Sequence, residues 1–256
     1  MKGNKAKIVC AASEKGGVAK STTIHVLGAA LVKEGKKVLF IDLDTQRNLS
    51  FVMNASGDYM SIYDVLNGAD INKAIQETGK GDLIKGDLRT SSLEDLPVNA
   101  LKDALSKLKK EYDYIVIDTP PGVKRVPVNA LMCADEVIVP CTPGIFSLQS
   151  LMTELDLIQD IQKKYNKNLN VNGVLVTMYN KRIVMHRQIR EAIEDQAKKR
   201  GIKVYSTPIR INAAIGNAQG YRESVIEYDS RSNGAEDYSQ FIKEYKENEQ
   251  QERKTK

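Results

Sequence analysis

Residues 13–22, which read SEKGGVAKST, decide the fold of this chain. They follow the apolar run 8–12 and precede a helical pattern that begins near Ser21. This order predicts a strand, a glycine turn and a helix start, an arrangement that lines backbone N–H groups along a phosphate chain. In a loop of this kind Lys20 reaches the β- and γ-phosphates of a nucleotide, and the Ser21 hydroxyl holds Mg²⁺.

The loop departs from the common pattern G-x-x-x-x-G-K-S/T, because Glu14 and Ala19 stand at its two outer glycine positions. The sequence has K-G-G-x-x-K-S/T-T instead, with an additional lysine at Lys15. This variant resembles the deviant Walker A loop of the ParA/MinD family of ATPases, in which the extra lysine crosses a dimer interface to the partner's nucleotide. The resemblance implies an ATP-binding loop that consists of Lys15, Gly16, Gly17, Val18, Ala19, Lys20, Ser21 and Thr22.

Length and composition favour one cytoplasmic domain. A chain of 256 residues fits a single α/β domain over 1–256, in which 246–256 is a polar tail and a candidate for disorder. There is no signal-peptide pattern and no apolar run long enough for a membrane helix. The cysteines stand in apolar contexts without a C-x-x-C spacing, so we expect buried apolar side chains at Cys10, Cys133 and Cys141.

Carboxylates end two of the predicted strands. The buried run 38–41 leads into Asp42-Leu43-Asp44, at the strand end where ligands bind in open α/β sheets. The run 114–118 ends in Asp118 before a stiff Thr-Pro-Pro-Gly turn and has the form of a Walker B strand. We expect Asp118 to bind the Mg²⁺ shell through water, because Mg²⁺ keeps much of its hydration. Asp42 is a further candidate ligand.

Strands alternate with helices along the chain. This order predicts an α/β P-loop NTPase fold with a mainly parallel sheet of seven or eight strands and helices on both faces. The pattern between 48 and 95 is weak. Further predicted elements are short helices at 62–67 and 71–77, a strand at 83–84, a helix from Pro97 to about Lys110, and strands at 136–140 and 171–178.

Positive charge is concentrated late in the chain. The formal net charge is +5, yet Lys181 to Arg210 contains nine basic and three acidic residues, a net of +6 that leaves −1 for the remainder. On the predicted helix there, Arg187 and Lys198 share an outward face and Arg190 lies at its flank. Such a segment favours contact with phosphates, and the alternative is a solvated charged face.

The resemblance to ParA-type partition ATPases covers nearly the whole chain. It rests on KGGVAKST, IDLDTQ, IVIDTPPG, TMYNKR and VIEYD, which occur in the family order. It implies that Asp44 is tied to the hydrolytic water, that Asn180 contacts adenine and that Pro208 lies near a second adenine-side loop. The catalytic residues it implies are Lys15, Lys20 and Asp44.

The same resemblance implies cofactors and partners. These are ATP with Mg²⁺, a homodimer formed on ATP binding, non-specific DNA of the nucleoid, and a centromere-binding protein that stimulates slow hydrolysis. Arg210 and Arg222 lie near Ala214, which stands where chromosomal members carry an arginine implicated in DNA binding. The DNA-binding candidates are Arg187, Arg190, Lys198, Lys199, Arg210 and Arg222.

Two alternatives remain. A MinD-like positioning ATPase needs a C-terminal amphipathic membrane helix, whereas 246–256 contains no aliphatic residue, so no membrane partner is expected. A small-molecule ligase of the dethiobiotin-synthetase type uses the same loop. It also needs a substrate pocket and an acceptor, for which the sequence shows no set of residues.

Overall fold

The apolar runs of the sequence form the strands of one sheet. The structure, a computed structural model, describes residues 6–255, with side chains up to Gln251. The described residues form seven strands in the order β3-β4-β2-β5-β1-β6-β7, all parallel except β3. The strands are β1 (Lys7–Ala11), β2 (Val38–Asp42), β3 (Ile75–Thr78), β4 (Gly81–Ile84), β5 (Tyr114–Asp118), β6 (Glu136–Cys141) and β7 (Asn170–Val176).

Helices cover both faces of the sheet. One face packs against the first two helices and the last three, and the other face packs against the five between them. The helices of the described residues are α1 (Lys20–Lys33), α2 (Asn48–Val52), α3 (Ile62–Leu66), α4 (Ala100–Leu105), α5 (Arg125–Cys133), α6 (Ile145–Lys164), α7 (Val184–Lys199), α8 (Ala213–Gly220), α9 (Val225–Tyr228) and α10 (Asn233–Thr255). The predicted fold class is therefore confirmed.

The central strands are buried on both sides, which explains their continuous apolar sequence. Every residue of β2 and of β5 is buried. The helix α1 lies close to β2 because Gly28 has no side chain: a Cβ there would stand 2.2 Å from Cε1 of Phe40. This close packing places the N-terminus of α1 at the carboxyl edge of the sheet.

Two predicted elements are corrected. Residues 71–77 form a 3₁₀ turn, Ile71–Lys73, followed by β3, because this segment pairs with β4 in antiparallel register. The helix after Pro97 is short and covers only α4. The seven strands agree with the predicted seven or eight, and isolated bridges at Val204 and Arg210 lie beyond β7.

The polar tail is helical up to Thr255, where α10 ends. The physical reason is a polar cluster at the amino edge of the sheet: Tyr245 donates to Glu136 at 2.7 Å, and the buried Glu249 accepts from Tyr114 at 2.9 Å and pairs with Lys7 at 3.1 Å. These contacts hold the helix against the sheet beyond its last apolar residue.

All three cysteines are buried, as predicted. In the part of the chain that the structure describes, none of the helices combines the length and the apolar character needed to cross a membrane.

Candidate nucleotide-binding site

The predicted phosphate loop connects β1 to α1 in a strained turn. Gly17 and Ala19 have φ angles of +72° and +68°, both in the left-handed region. Ala19 occupies a position where the common loop has glycine, and an L-residue in this region costs about 1–2 kcal/mol. Its carbonyl accepts from Thr23 N–H at 2.9 Å and so begins α1. Buried Val18 anchors the loop, with its carbonyl 3.2 Å from Thr177 Oγ1.

Lys20 lies inside this loop. Its side chain is buried, and Nζ donates to the carbonyls of Lys15 at 3.1 Å and Ser13 at 3.4 Å. Burial lowers the pKa of Lys20, and the carboxylates of Asp118, Asp44 and Glu154 oppose that change. The ammonium therefore lies among three acids at the place where a phosphate chain would be bound. Glu154 was not predicted from the sequence, in which it is one residue of an amphipathic helix.

The two aspartates after β2 have different roles in the structure. Asp42 is fully buried and accepts from Ser50 N–H at 2.8 Å, Ser50 Oγ at 2.6 Å and Asp44 N–H at 3.0 Å. Burial raises the pKa of Asp42 to about 6 despite these donors. Its oxygens are thus occupied in shaping the turn, which argues against the predicted role of Asp42 in metal binding. Asp44 accepts from Gln46 N–H at 3.0 Å and lines a cavity.

Asp118 differs from Asp42 in its hydrogen bonding. It pairs in register with Asp42 and is fully buried, but neither carboxylate oxygen has a hydrogen-bond partner among the described residues. Its pKa is raised well above the ordinary value by burial, then by Asp42, while the Ser21 hydroxyl lowers it. A buried carboxylate without donors is costly unless a cation compensates it.

Ser21 and Asp118 are therefore the residues that would hold Mg²⁺. Among the described residues, no three carboxylate, imidazole or thiolate side chains form a metal cage. This fits Mg²⁺, which is usually bound through one or two protein groups, substrate phosphates and its own waters.

A cavity of about 610 Å³ adjoins the loop, which is within the usual size of a ligand pocket. Gly16, Gly17 and residues 19–22 form one wall, with Asp44 beside them. The opposite wall consists of Met178, residues 209–212, Ile215 and Gln219. This wall combines four apolar side chains with the polar Arg210, Asn212 and Gln219.

The two predicted adenine-side residues do not line this cavity. The Asn180 side chain accepts from Arg182 N–H at 3.0 Å, so it closes its own turn. Pro208 precedes the wall formed by residues 209–212. Their chain neighbours Met178 and Ile209 do line it, and an isolated bridge pairs the two segments at Tyr179 and Arg210.

Lys15 is exposed outside this cavity. Its Nζ donates to Ser147 Oγ at 2.7 Å, at the start of α6. Large apolar side chains nearby are exposed, among them Phe146 at 80% and Ile211 at 63%. Exposed apolar groups beside a polar loop mark an interaction surface.

The six predicted DNA-binding residues do not share one surface. Arg187 and Lys198 are exposed on α7, whereas Arg190 and Lys199 on the same helix pair with Glu194 and Asp195. Two further arginines lie elsewhere: Arg210 lines the nucleotide cavity and binds Asp237 of α10, and Arg222 stacks over Phe51, 4.8 Å from its centroid.

A second cavity, of about 640 Å³, lies beside the first and shares Pro121 with it. Its lining includes Leu43 and Thr45, which flank Asp44, and the basic residues Lys124 and Arg125. This cavity was not predicted from the sequence.

The chain is similar to known ATPase-fold and partitioning proteins over most of its length. Residues 6–171 match a family model described as an AAA domain. The chain is 34% identical to the sporulation initiation inhibitor protein Soj of Bacillus subtilis, over 93% of this chain and 97% of Soj. It is 32% identical to the chromosome partitioning protein ParA of Caulobacter vibrioides, over 95% of each chain.

A solved structure shows the same fold with a nucleotide. The cobyrinic acid a,c-diamide synthase of Mycobacterium smegmatis, with bound ATP analog and magnesium, superposes with a TM-score of 0.80 and 29% identity over 93% of each chain. The phosphate-loop fold described above is therefore one that holds an ATP analog with magnesium in a relative.

Proposed function

The chain belongs to the ParA/MinD family of ATPases, and from this premise we propose that it is a DNA-partitioning ATPase. ATP closes a dimer of two copies, the dimer binds DNA without sequence preference, and hydrolysis resets it. A centromere-binding protein would accelerate a slow intrinsic hydrolysis. The proposed setting is the cytoplasm, on the DNA of the nucleoid.

One observation carries the ATPase part of this proposal. The strained loop, with the buried Lys20, lines one cavity of about 610 Å³ together with Asp44. The buried carboxylate of Asp118 lies behind this wall, next to Ser21 and Lys20. Lys20 supplies positive charge for the β- and γ-phosphates, and the N-terminus of α1 supplies N–H groups. Bound Mg²⁺, held by Ser21 and by Asp118 through water, would neutralise charge on the phosphates. Asp44, at the cavity wall, orients the attacking water.

The dimer is supported by the surroundings of Lys15. Among the described residues, the Lys15 side chain has a hydrogen bond only to Ser147. Exposed Phe146 and Ile211 lie nearby. Closure of two copies over the loop would bury these apolar side chains and release Lys15 to neutralise phosphate charge in the other subunit. A cation supplied in trans has this role in other phosphoryl-transfer enzymes.

DNA binding is proposed for the exposed face of α7. Of its predicted contacts, Arg187 and Lys198 have no ion pair among the described residues. One subunit would offer few phosphate contacts and bind weakly at physiological salt, whereas a dimer doubles them. DNA affinity would therefore follow the nucleotide state.

The experiment measures DNA binding by fluorescence anisotropy with ATP, with ADP and without nucleotide. We expect tight, salt-dependent binding with ATP alone. Arg187→Glu combined with Lys198→Glu should abolish it and leave ATP-driven dimerisation intact. The charge-matched control combines Lys102→Glu and Lys107→Glu near α4, which should change affinity much less. Equal DNA binding by both variants, or a salt slope near zero, contradicts the proposal.

A small-molecule ligase is the second candidate, and the cavity of about 640 Å³ beside Pro121 is the observation that favours it. Such an enzyme would release phosphate only when its substrate is present. Steady phosphate release from ATP by the purified chain, accelerated by DNA and a partner protein, argues for the partition function. Release that depends on an added carboxylic acid argues for the ligase.

A further inference from the structure

A carboxylate from α6 is buried beneath the phosphate loop. Glu154 is 2% exposed, in the middle of a helix face whose other buried members include Leu151, Leu155 and Ile158. Its Oε2 has no hydrogen-bond partner among the described residues. A leucine at this position would pack without cost, whereas an acid buried in this way is destabilising. The acid therefore requires an interaction that compensates its burial.

The charged and titratable groups around Glu154 belong to the loop and to β1. Burial raises the pKa of Glu154 to about 7, Lys20 and the backbone N–H of Glu14 lower it, and the Glu14 carboxylate raises it. On β1, burial raises the pKa of the Cys10 thiol, and Cys133 and Glu154 raise it further. Glu154 is thus the one acid of α6 that acts on the lysine of the phosphate loop.

Glu154 and Asp118 come from elements that lie on different sides of β1. The strand β1, which leads into the loop, lies between β5 and β6. Asp118 ends β5, whereas α6 follows β6. Lys20 is therefore affected by acids from both flanks of β1.

We propose that Glu154 is a positioning residue for the phosphate loop, holding the Lys20 ammonium and the Glu14 backbone in the arrangement that receives a triphosphate. The proposal rests on the proposed ATPase function. Without the charge of Glu154, Lys20 is attracted only toward Asp118 and Asp44, where the ammonium would compete with Mg²⁺. Catalysis of phosphoryl transfer depends mainly on positioning, so such a displacement lowers turnover.

Two substitutions separate charge from hydrogen bonding. Glu154→Gln keeps the size of the side chain and an acceptor oxygen for Glu14 N–H but removes the charge. We expect kcat to fall about tenfold while the Kd for a fluorescent ATP analogue stays within about twofold. Glu154→Leu also removes the acceptor, and we expect the same loss of kcat together with a Kd weakened about tenfold.

The control is Ile158→Ala, one turn further along α6. It lowers stability by opening a cavity in the same core and should leave both kcat and Kd unchanged. A Glu154→Gln protein with wild-type kcat, or an Ile158→Ala protein with the same losses, overturns the proposal.

Hydrogen–deuterium exchange without nucleotide tests the loop directly. Peptides that cover residues 13–19 should exchange faster in Glu154→Leu than in wild type and in Ile158→Ala. Unchanged exchange there contradicts the role of Glu154 even if ATP is not the substrate. Failure of the wild-type chain to hydrolyse ATP, with faster exchange in Glu154→Leu, would instead refute only the proposed ATPase.

Discussion

Replacing Asp118 with asparagine is expected to stabilise the protein without ligand and to abolish its stabilisation by Mg²⁺ and ATP. Both effects have one cause. The Asp118 carboxylate is fully buried, lacks any hydrogen-bond donor in the described residues, and faces Asp42 across the β2–β5 pairing. The Ser21 hydroxyl and the Lys20 ammonium offset the effect of burial only in part, because the pKa of Asp118 remains well above its ordinary value.

The expected change in the free energy of unfolding follows from the difference in cost between burying a charged carboxylate and burying a neutral amide. An unsatisfied neutral polar group costs about 1–3 kcal/mol, and a charged one costs more. Removing the charge and its repulsion from Asp42 should therefore raise the free energy of unfolding by about 2 kcal/mol. For a domain of this size that corresponds to a melting temperature higher by about 4–8 °C. In wild type, Mg²⁺ and ATP at about 100 times Kd should add about 2.7 kcal/mol, and the variant should lose most of this gain.

The assay is urea unfolding at pH 8, with and without Mg²⁺ and ATP. Asp82→Asn is a matched control, because this buried acid has partners: Tyr112 OH at 2.6 Å and Lys110 Nζ at 2.7 Å. The same substitution there should destabilise the protein by about 1–3 kcal/mol. Our reasoning is refuted if Asp118→Asn destabilises the ligand-free protein as Asp82→Asn does, or if the variant keeps the full gain from ligand.

Three other predictions concern stability. Burial lowers the pKa of the His25 imidazole from 6.5 to about 4. As the pH falls from 6.5 toward 4, only the unfolded state binds this proton, so the stabilisation is complete above this range and is lost within it. Between pH 7 and pH 5, wild type should lose about 2 kcal/mol more than His25→Gln in denaturant titrations, and parallel curves would contradict this. Gly28→Ala should cost about 2–3 kcal/mol, because its Cβ would stand 2.2 Å from the buried ring of Phe40; a melting temperature equal to that of wild type would exclude the clash. Tyr245→Phe should cost about 1–2 kcal/mol by removing the 2.7 Å hydrogen bond to buried Glu136, and unchanged urea unfolding would show that this bond contributes nothing.

The βαβ unit around the phosphate loop was readable from sequence because its signals are local. An apolar run, a glycine turn and helical spacing involve residues that are neighbours in the chain. The same holds for Asp42, Asp44 and Asp118: parallel strands end at a common edge, so their terminal residues meet there. The prediction of a helix at 71–77 was wrong for a related reason. The strand β3 forms there by pairing with β4, a contact that local sequence spacing does not show.

The tertiary structure decided how these groups share their hydrogen bonds. Asp42 and Asp118 both end an apolar strand in the sequence. In the structure Ser50 donates two hydrogen bonds to the Asp42 carboxylate, whereas the carboxylate oxygens of Asp118 have no hydrogen-bond partner among the described residues. The ion pair of Arg210 with Asp237 of α10 likewise could not be predicted from the sequence, because the two residues come from distant segments.

Glu154 likewise reads as a helix residue until α6 brings it beneath Lys20. Periodicity and strand order need only neighbouring residues, and so the sequence by itself determined the fold and the location of the site. The charge state and the partners of each group depend on side chains brought together from distant strands and helices, and only the folded chain determines them.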